Sequence, residues 1–237
     1  MSIKAVLFDL DGTLLPMDQD VFVGAYFKGL ATHLAPYGYE PNKLIKAVWA
    51  GTEAMIKNNG EKSNEAAFWD VFTSVFGEGS LKDIPHFDKF YREGFPKIKS
   101  VCGYDERAAE IVGMLKSAGI RVVLATNPIF PAIATENRMG WAGLKPSDFE
   151  FYTTYENSRH TKPNLAYYTD ICDELGVRPE DCLMVGNDVD DDMVAEALGM
   201  QVFLLTDCLI NKNGSAIDKF PHGSFDVLKR YINDIIG

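Results

Sequence analysis

Five short apolar runs, at residues 3–8, 121–126, 149–153, 182–185 and 201–205, recur along the chain with helical patterns between them. Each is rich in aliphatic or β-branched residues and ends at turn formers, the pattern of a strand buried on both faces. The helical patterns lie near residues 106–118, 130–139, 164–175, 191–198 and 225–235. Strands alternating with helices predict an α/β fold, a parallel sheet covered by helices on both faces and joined by right-handed crossovers. Ligands of such sheets bind beyond the carboxyl ends of the strands. Asp9, Thr126 and Gly186-Asn187-Asp188, each at a strand end, are therefore expected to converge.

One stretch breaks the alternation. From about residue 15 to residue 100 the periodicity is helical, with Phe22, Tyr26 and Leu30 on one face and Phe68, Phe72 and Phe76 at every fourth position. Turn residues at Tyr37-Gly38, Asn58-Asn59-Gly60 and positions 77–79 divide it into about four helices. The aromatic stripes are expected to be packing rather than a substrate pocket. Trp49, Asn58 and Asn59 are nominated as contacts by position alone.

The chain has 237 residues, 46% hydrophobic and 24% charged, enough for a full core and an accessory domain. Its formal charge of -11 argues against a nucleic-acid partner, because a phosphate backbone is bound by clustered Lys and Arg. A small-molecule substrate is expected instead. The first apolar stretch stops at Asp9 with no cleavage site after it, so no secretory signal is expected. No run approaches the roughly 18 apolar residues of a membrane span, so no membrane partner is expected either. Cys102, Cys172, Cys182 and Cys208 lack the spacing of a zinc knuckle or a redox dithiol, which makes a reducing cytoplasm the expected compartment.

The segment Asp9-Leu10-Asp11-Gly12-Thr13 sets two carboxylates at the end of a buried strand. Like charges so held must share a proton, bind a cation or face water. Gly12 permits the turn, and Thr13 can aim a hydroxyl or an N–H at an anion. An N-cap or Asx-turn would use the same residue types. A calcium loop is excluded, since it needs a third acidic position before its glycine and a Glu six residues beyond that glycine. The cluster at residues 186–192 imitates such a loop too, but Met193 occupies its glycine position and Gly199 its glutamate position.

Acids in a helix's first turn account for Asp190 and Asp191, but not for Asp188 directly off a strand. If Asp188 meets Asp9, a hard dication relieves the repulsion, and Mg²⁺ suits because it keeps waters and accepts phosphate oxygens. Thr126 closes the second strand ahead of Asn127-Pro128, offering a hydroxyl and an N–H to an anionic oxygen. Lys162-Pro163 opens a helix, where the dipole disfavours a cation unless it faces carboxylates and phosphate.

In order and spacing, Asp9 to Thr13, Thr126, Lys162-Pro163, and Gly186-Asn187-Asp188 with Asp192 resemble the four motifs of the haloacid dehalogenase-like hydrolase superfamily, over the whole chain. The helical stretch resembles the cap of the subgroup containing phosphoglycolate phosphatase and β-phosphoglucomutase. The resemblance implies a Rossmann-like catalytic core at residues 1–14 and 101–237 and an inserted helical cap domain at residues 15–100. It also implies that Asp9 is the nucleophile forming an aspartyl-phosphate and Asp11 the general acid/base. Thr13, Thr126, Asn127 and Lys162 would bind the phosphoryl group. Mg²⁺ would be held by Asp9, the Asp11 backbone carbonyl and Asp188, with Asp192 supporting. Many relatives carry Gly-Asp where this chain has Gly186-Asn187, which leaves the direct ligand open among Asn187, Asp188 and Asp192. Asp188 is preferred, since a neutral amide would weaken the site.

The expected function is a Mg²⁺-dependent phosphatase acting on a small phosphorylated metabolite, as a monomer or homodimer. A phosphomutase reusing the aspartyl-phosphate is the alternative. A non-catalytic phosphate-binding scaffold is disfavoured by the presence of both Asp9 and Asp11. A dehalogenase is disfavoured because a halide leaving group needs no acid such as Asp11. A dinucleotide-dependent dehydrogenase lacks its Gly-x-Gly-x-x-Gly turn after the first strand.

Overall fold

The computed structural model describes residues 3–236. Six parallel strands form one sheet in the order β3-β2-β1-β4-β5-β6. They are β1 (Ala5–Phe8), β2 (Arg121–Leu124), β3 (Phe151–Tyr152), β4 (Cys182–Gly186), β5 (Gln201–Leu205) and β6 (His222–Gly223). Alternate residues feed two apolar layers. Val6, Phe8, Leu124, Val185 and Phe203 enter one, and Ala5, Leu7, Val123, Met184 and Val202 the other. Burial on both faces is why these strands read as continuous apolar runs rather than alternating ones.

Between β1 and β2 the chain leaves the sheet and returns at the same point. Met17 and Cys102 form an antiparallel bridge, and the Gly103 N–H donates to the Pro16 carbonyl at 2.7 Å. The excursion holds α1 (Gln19–Leu34), α2 (Pro41–Ile56), α3 (Asn64–Phe76) and α4 (Ile84–Lys89), the last running on into a wide turn and then a tight one through Val101. Its helices start where the side chains can cap them. Asp18 accepts from the Val21 N–H, Glu40 from Asn42 and Lys43, and Ser63 from Ala66. Phe68 and Phe72 stack at 5.7 Å between centroids, and Phe87 meets Phe72 edge-on at 5.4 Å, closing the core of this helical insertion.

Helices α5 (Glu106–Ser117), α6 (Ala132–Trp141) and α8 (Phe225–Ile236) add apolar residues to the first layer, and α7 (Leu165–Leu175) to the second. Three expectations need adjustment. The helix expected over residues 191–198 is a 3-10 turn, Met193–Leu198, because Asp188 to Asp192 are spent on a turn of their own. The helix expected from residue 130 begins at Ala132, after Pro131. The two-residue β6 was too short to leave a pattern in the sequence. Among the described residues no helix is long and apolar enough to cross a membrane.

Candidate active site

The register of the sheet sets three strand ends side by side. Phe8 pairs with both Leu124 and Val185, so the chain leaves β1, β2 and β4 at one level. There the Asp9 N–H donates to the Val185 carbonyl and the Ala125 N–H to the Phe8 carbonyl. Beyond this edge lies a cavity of roughly 760 Å³, counting its open mouth, between the sheet and the helical insertion. Asp9, Asp11, Thr126, Asn127, Lys162, Asp188 and Asp192 all line it, as does Asn187.

Gly12 turns the β1 loop at φ +86°, and a Cβ there would lie 2.4 Å from Asn187 Nδ2. The turn thus rests directly on Asn187, a close approach only glycine permits. Asn187 is consumed by this support, its amide donating to the Cys208 carbonyl at 2.7 Å and its Oδ1 accepting the Thr13 hydroxyl at 2.9 Å. Thr13, expected among the substrate contacts, does not line the cavity. It is 1% exposed, its hydroxyl lies 3.1 Å from Asp9 Oδ2, and its N–H is bonded to Leu10. It supports Asp9 from behind.

Gly186 makes the matching approach on β4, where a Cβ would overlap the Asp192 carboxylate. That carboxylate accepts the Asp188 N–H at 2.9 Å on one oxygen and the Lys162 ammonium at 2.6 Å on the other. Lys162 Nζ also reaches Asp9 Oδ1 at 2.9 Å. Burial alone would drive the proton from this ammonium. Asp192 and Asp9 more than offset that and hold Lys162 well above the ordinary lysine range. Asp192 is pushed up to about 7, by burial first and by Asp9, against the pull of Lys162. Asp188 caps the following turn through Oδ1, which accepts from Asp190 and Asp191, and its second oxygen has no such task.

Asp11 is bound by a residue that sequence reasoning missed. Arg138 on α6 is wholly buried, donates to Asp11 Oδ2 and Thr135, and carries its guanidinium 4.6 Å from the Phe130 ring. Burial raises the Asp11 carboxyl, Arg138 opposes the rise and Asp9 adds to it. Burial is thus the larger upward effect and the neighbouring Asp9 the lesser. Asp11 Oδ1 and Asn127 Oδ1 are both buried without a hydrogen-bond partner among the described residues. Asp191 and Lys212 line the cavity as well and were not singled out from the sequence.

Asn58 and Asn64 instead clasp the insertion to the sheet domain. Asn58 donates to Asn64 Oδ1 at 2.9 Å, while Asn64 donates to the carbonyls of Pro128 and His160.

Among the described residues no three acidic, His or Cys side chains form a metal cluster, and the Lys162 ammonium sits between Asp9 and Asp192. What remains is Asp9, Asp188 and oxygen atoms of the β1 loop. A Mg²⁺ ion, which keeps several waters and takes one or two carboxylates, needs no more.

The chain belongs to the haloacid dehalogenase-like hydrolase family, whose model matches residues 3–199. It is 28% identical over 198 residues to a phosphoglycolate phosphatase of Xylella fastidiosa, an alignment covering 83% of this chain and 77% of that one. It is 25% identical over 196 residues to an N-acetylmuramic acid 6-phosphate phosphatase of Pseudomonas aeruginosa, covering 81% and 76% respectively. A HAD hydrolase of Bacillus subtilis, crystallised with magnesium, superposes with a TM-score of 0.57 at 15% identity, covering 98% of this chain and all of that one.

Proposed function

We propose that this haloacid dehalogenase-like hydrolase is a Mg²⁺-dependent phosphatase of a small phosphorylated metabolite, working through an aspartyl-phosphate. The observation that carries the reading is the buried ammonium of Lys162 bridging Asp9 and Asp192 in a cavity that Asp11 also lines. Cationic charge beside a strand-end carboxylate is what a dianionic phosphoryl group requires before another anion can attack it. The two relatives named as phosphatases and the magnesium-bound neighbour support the same reading.

In the first step an Asp9 carboxylate oxygen bonds to phosphorus while the bond from phosphorus to the leaving oxygen breaks. Asp11, its carboxyl raised by burial, delivers a proton to that oxygen. In the second, Asp11 takes a proton from water, the water oxygen bonds to phosphorus, and Asp9 leaves as carboxylate. Lys162 neutralises the phosphoryl oxygens, and the N–H groups and side chains at Thr126 and Asn127 orient them. Asp9, the Asp11 carbonyl and Asp188 would hold Mg²⁺, which supplies further charge to the phosphoryl oxygens. Asp192, with both oxygens engaged, positions Lys162 and the Asp188 turn. The helices at residues 15–100 serve as the cap over the core. The four free cysteines suit a cytoplasmic setting.

The test is phosphate release from p-nitrophenyl phosphate with Mg²⁺. Turnover is expected in the wild type, abolished in Asp9→Asn, with a phosphorylated Asp9 peptide recovered after acid quench. Release equal to the Asp9→Asn control would overturn the reading.

A further inference from the structure

Next to the catalytic cavity lies a second, of roughly 780 Å³ counting its mouth, bounded by α1, α2, α3 and the chain around Phe130. The two share the walls Val23, Ile129 and Phe130. The size is that of a pocket for a small organic molecule. Its lining is almost wholly apolar, with Tyr26, Leu30, Val48, Phe68 and Phe87 each less than one-tenth exposed. Its outer side carries Trp49, half exposed and tilted against Phe27 at 5.2 Å.

Of the polar side-chain atoms among the lining residues, three hydroxyls are committed, while the buried Trp69 Nε1 has no partner among the described residues. The Tyr26 and Tyr91 hydroxyls bond each other at 2.9 Å, and the Thr52 hydroxyl donates to the Val48 carbonyl at 3.0 Å. Among the described residues no Lys, Arg or His lines this cavity, and the one charged residue that does is Asp88, a carboxylate. Lys212 lines the catalytic cavity but not this one. A second anionic group on a substrate would therefore be desolvated beside a like charge, and a row of sugar hydroxyls would lose water without regaining partners.

Resting on the phosphatase reading above, we infer that the substrate is a phosphate monoester whose leaving group is an uncharged apolar or aromatic alcohol, with the phosphate at Asp9 and the apolar body in the cavity walled by Tyr26, Leu30 and Phe68. Hydrolysis consumes one water and returns the free alcohol and inorganic phosphate. The same chemistry argues against a phosphomutase, whose bisphosphate intermediate needs a second cationic site.

The inference is tested with monoesters of primary alcohols, whose leaving groups are chemically alike. With Mg²⁺, 2-phenylethyl phosphate is expected to exceed ethyl phosphate in kcat/KM by roughly 10- to 100-fold, the value of burying a phenyl group. Phosphoglycolate is expected to fall below both. Thr52→Lys, which sets a cation in the wall of this cavity, should cut the ratio of kcat/KM for 2-phenylethyl over ethyl phosphate at least about tenfold. A metal-free titration with 2-phenylethanol, read by tryptophan fluorescence, should saturate in the wild type and not in Thr52→Lys. Saturable binding without turnover of any monoester would leave the pocket standing and overturn only the phosphatase reading. A preference for phosphoglycolate, equal turnover of phenylethyl and ethyl phosphates, or absence of saturable binding would overturn the inference.

Discussion

The guanidinium of Arg138 on α6 is bonded to the carboxylate of Asp11, 127 positions earlier and just past β1. Arg138 is 0% exposed, with Phe130 beside its guanidinium and Thr135 and the Ala134 carbonyl taking two of its other N–H groups. A buried cation so enclosed fixes the rotamer of Asp11 and leaves Oδ1 as its free oxygen.

Removing that cation strands a carboxylate whose side chain is only one-fifth exposed. Arg138→Ala is expected to destabilise the protein by about 3–5 kcal/mol, as breaking a buried pair from one side does. Urea unfolding measures this. A loss under about 1 kcal/mol, the value of a surface pair, would show that the pairing contributes little.

Lys162 holds two acids at once. Lys162→Met keeps the stem volume but removes the charge from beside Asp9 and Asp192. A fall in kcat of about 10²- to 10³-fold is expected, the cost of one charge-stabilising partner. Steady-state kinetics on p-nitrophenyl phosphate decide it, and a change of less than threefold would remove Lys162 from the reaction.

Asp192 is pushed up to about 7, and Asp11 is raised too. An acid whose pKa is higher folded than unfolded binds its proton more tightly in the native state. It lends stability that is full below about pH 4, the unfolded carboxylate range, and lost as pH rises through about 7. The melting temperature of metal-free protein should therefore receive a falling contribution between these limits. Mg²⁺ should raise it more at pH 7.5 than at pH 5. Paired calorimetry of wild type and Asp192→Asn isolates the effect; identical pH slopes in the two proteins would refute it.

Gly186 leaves no room for a Cβ beside Asp192. Gly186→Ala should cost about 1–3 kcal/mol by overpacking and lower kcat by displacing the partner of Lys162. Gly113 on α5 has open space around it, so Gly113→Ala should be stabilising by about 0.5–1 kcal/mol. Denaturation midpoints in the opposite order would contradict the packing described at the end of β4.

Asp188 and Asp192 divide their labour in the reading given above. Asp188→Asn keeps an oxygen for the Asp190 and Asp191 N–H groups, so the turn should survive while the Mg²⁺ concentration for half-maximal activity rises at least about tenfold. Asp192→Asn should lower kcat with a smaller change in that concentration. Magnesium titrations of both variants compare them directly, and the reverse pattern would make Asp192 the ligand.

Arg138 escaped notice in the sequence because a single arginine in an amphipathic helix reads as a solvated face, and only packing shows that this one has no solvent. Thr13 was legible as a residue near an anion but not as one buried behind Asp9, since a turn's side-chain direction depends on what lies under it, here Asn187. Asn187 itself looked like a departure from a metal position. Its amide proves to be a strut for the turn at Gly12 and for the carbonyl of Cys208. The aromatic stripes were read as packing. Phe72 is so used, whereas Tyr26 and Phe68 also line a cavity, and helical spacing carries the same signal for both.

By itself the sequence determined the parallel sheet and the placing of Asp9, Thr126 and Asp188 at strand ends. Buried strands leave apolar runs, and the residue that follows each run is local information. Tertiary structure alone decided which charges touch, which polar atoms stay free, and that an apolar cavity adjoins an anion site. Those properties belong to surfaces assembled from residues more than a hundred positions apart, and their energies depend on burial that no single segment fixes.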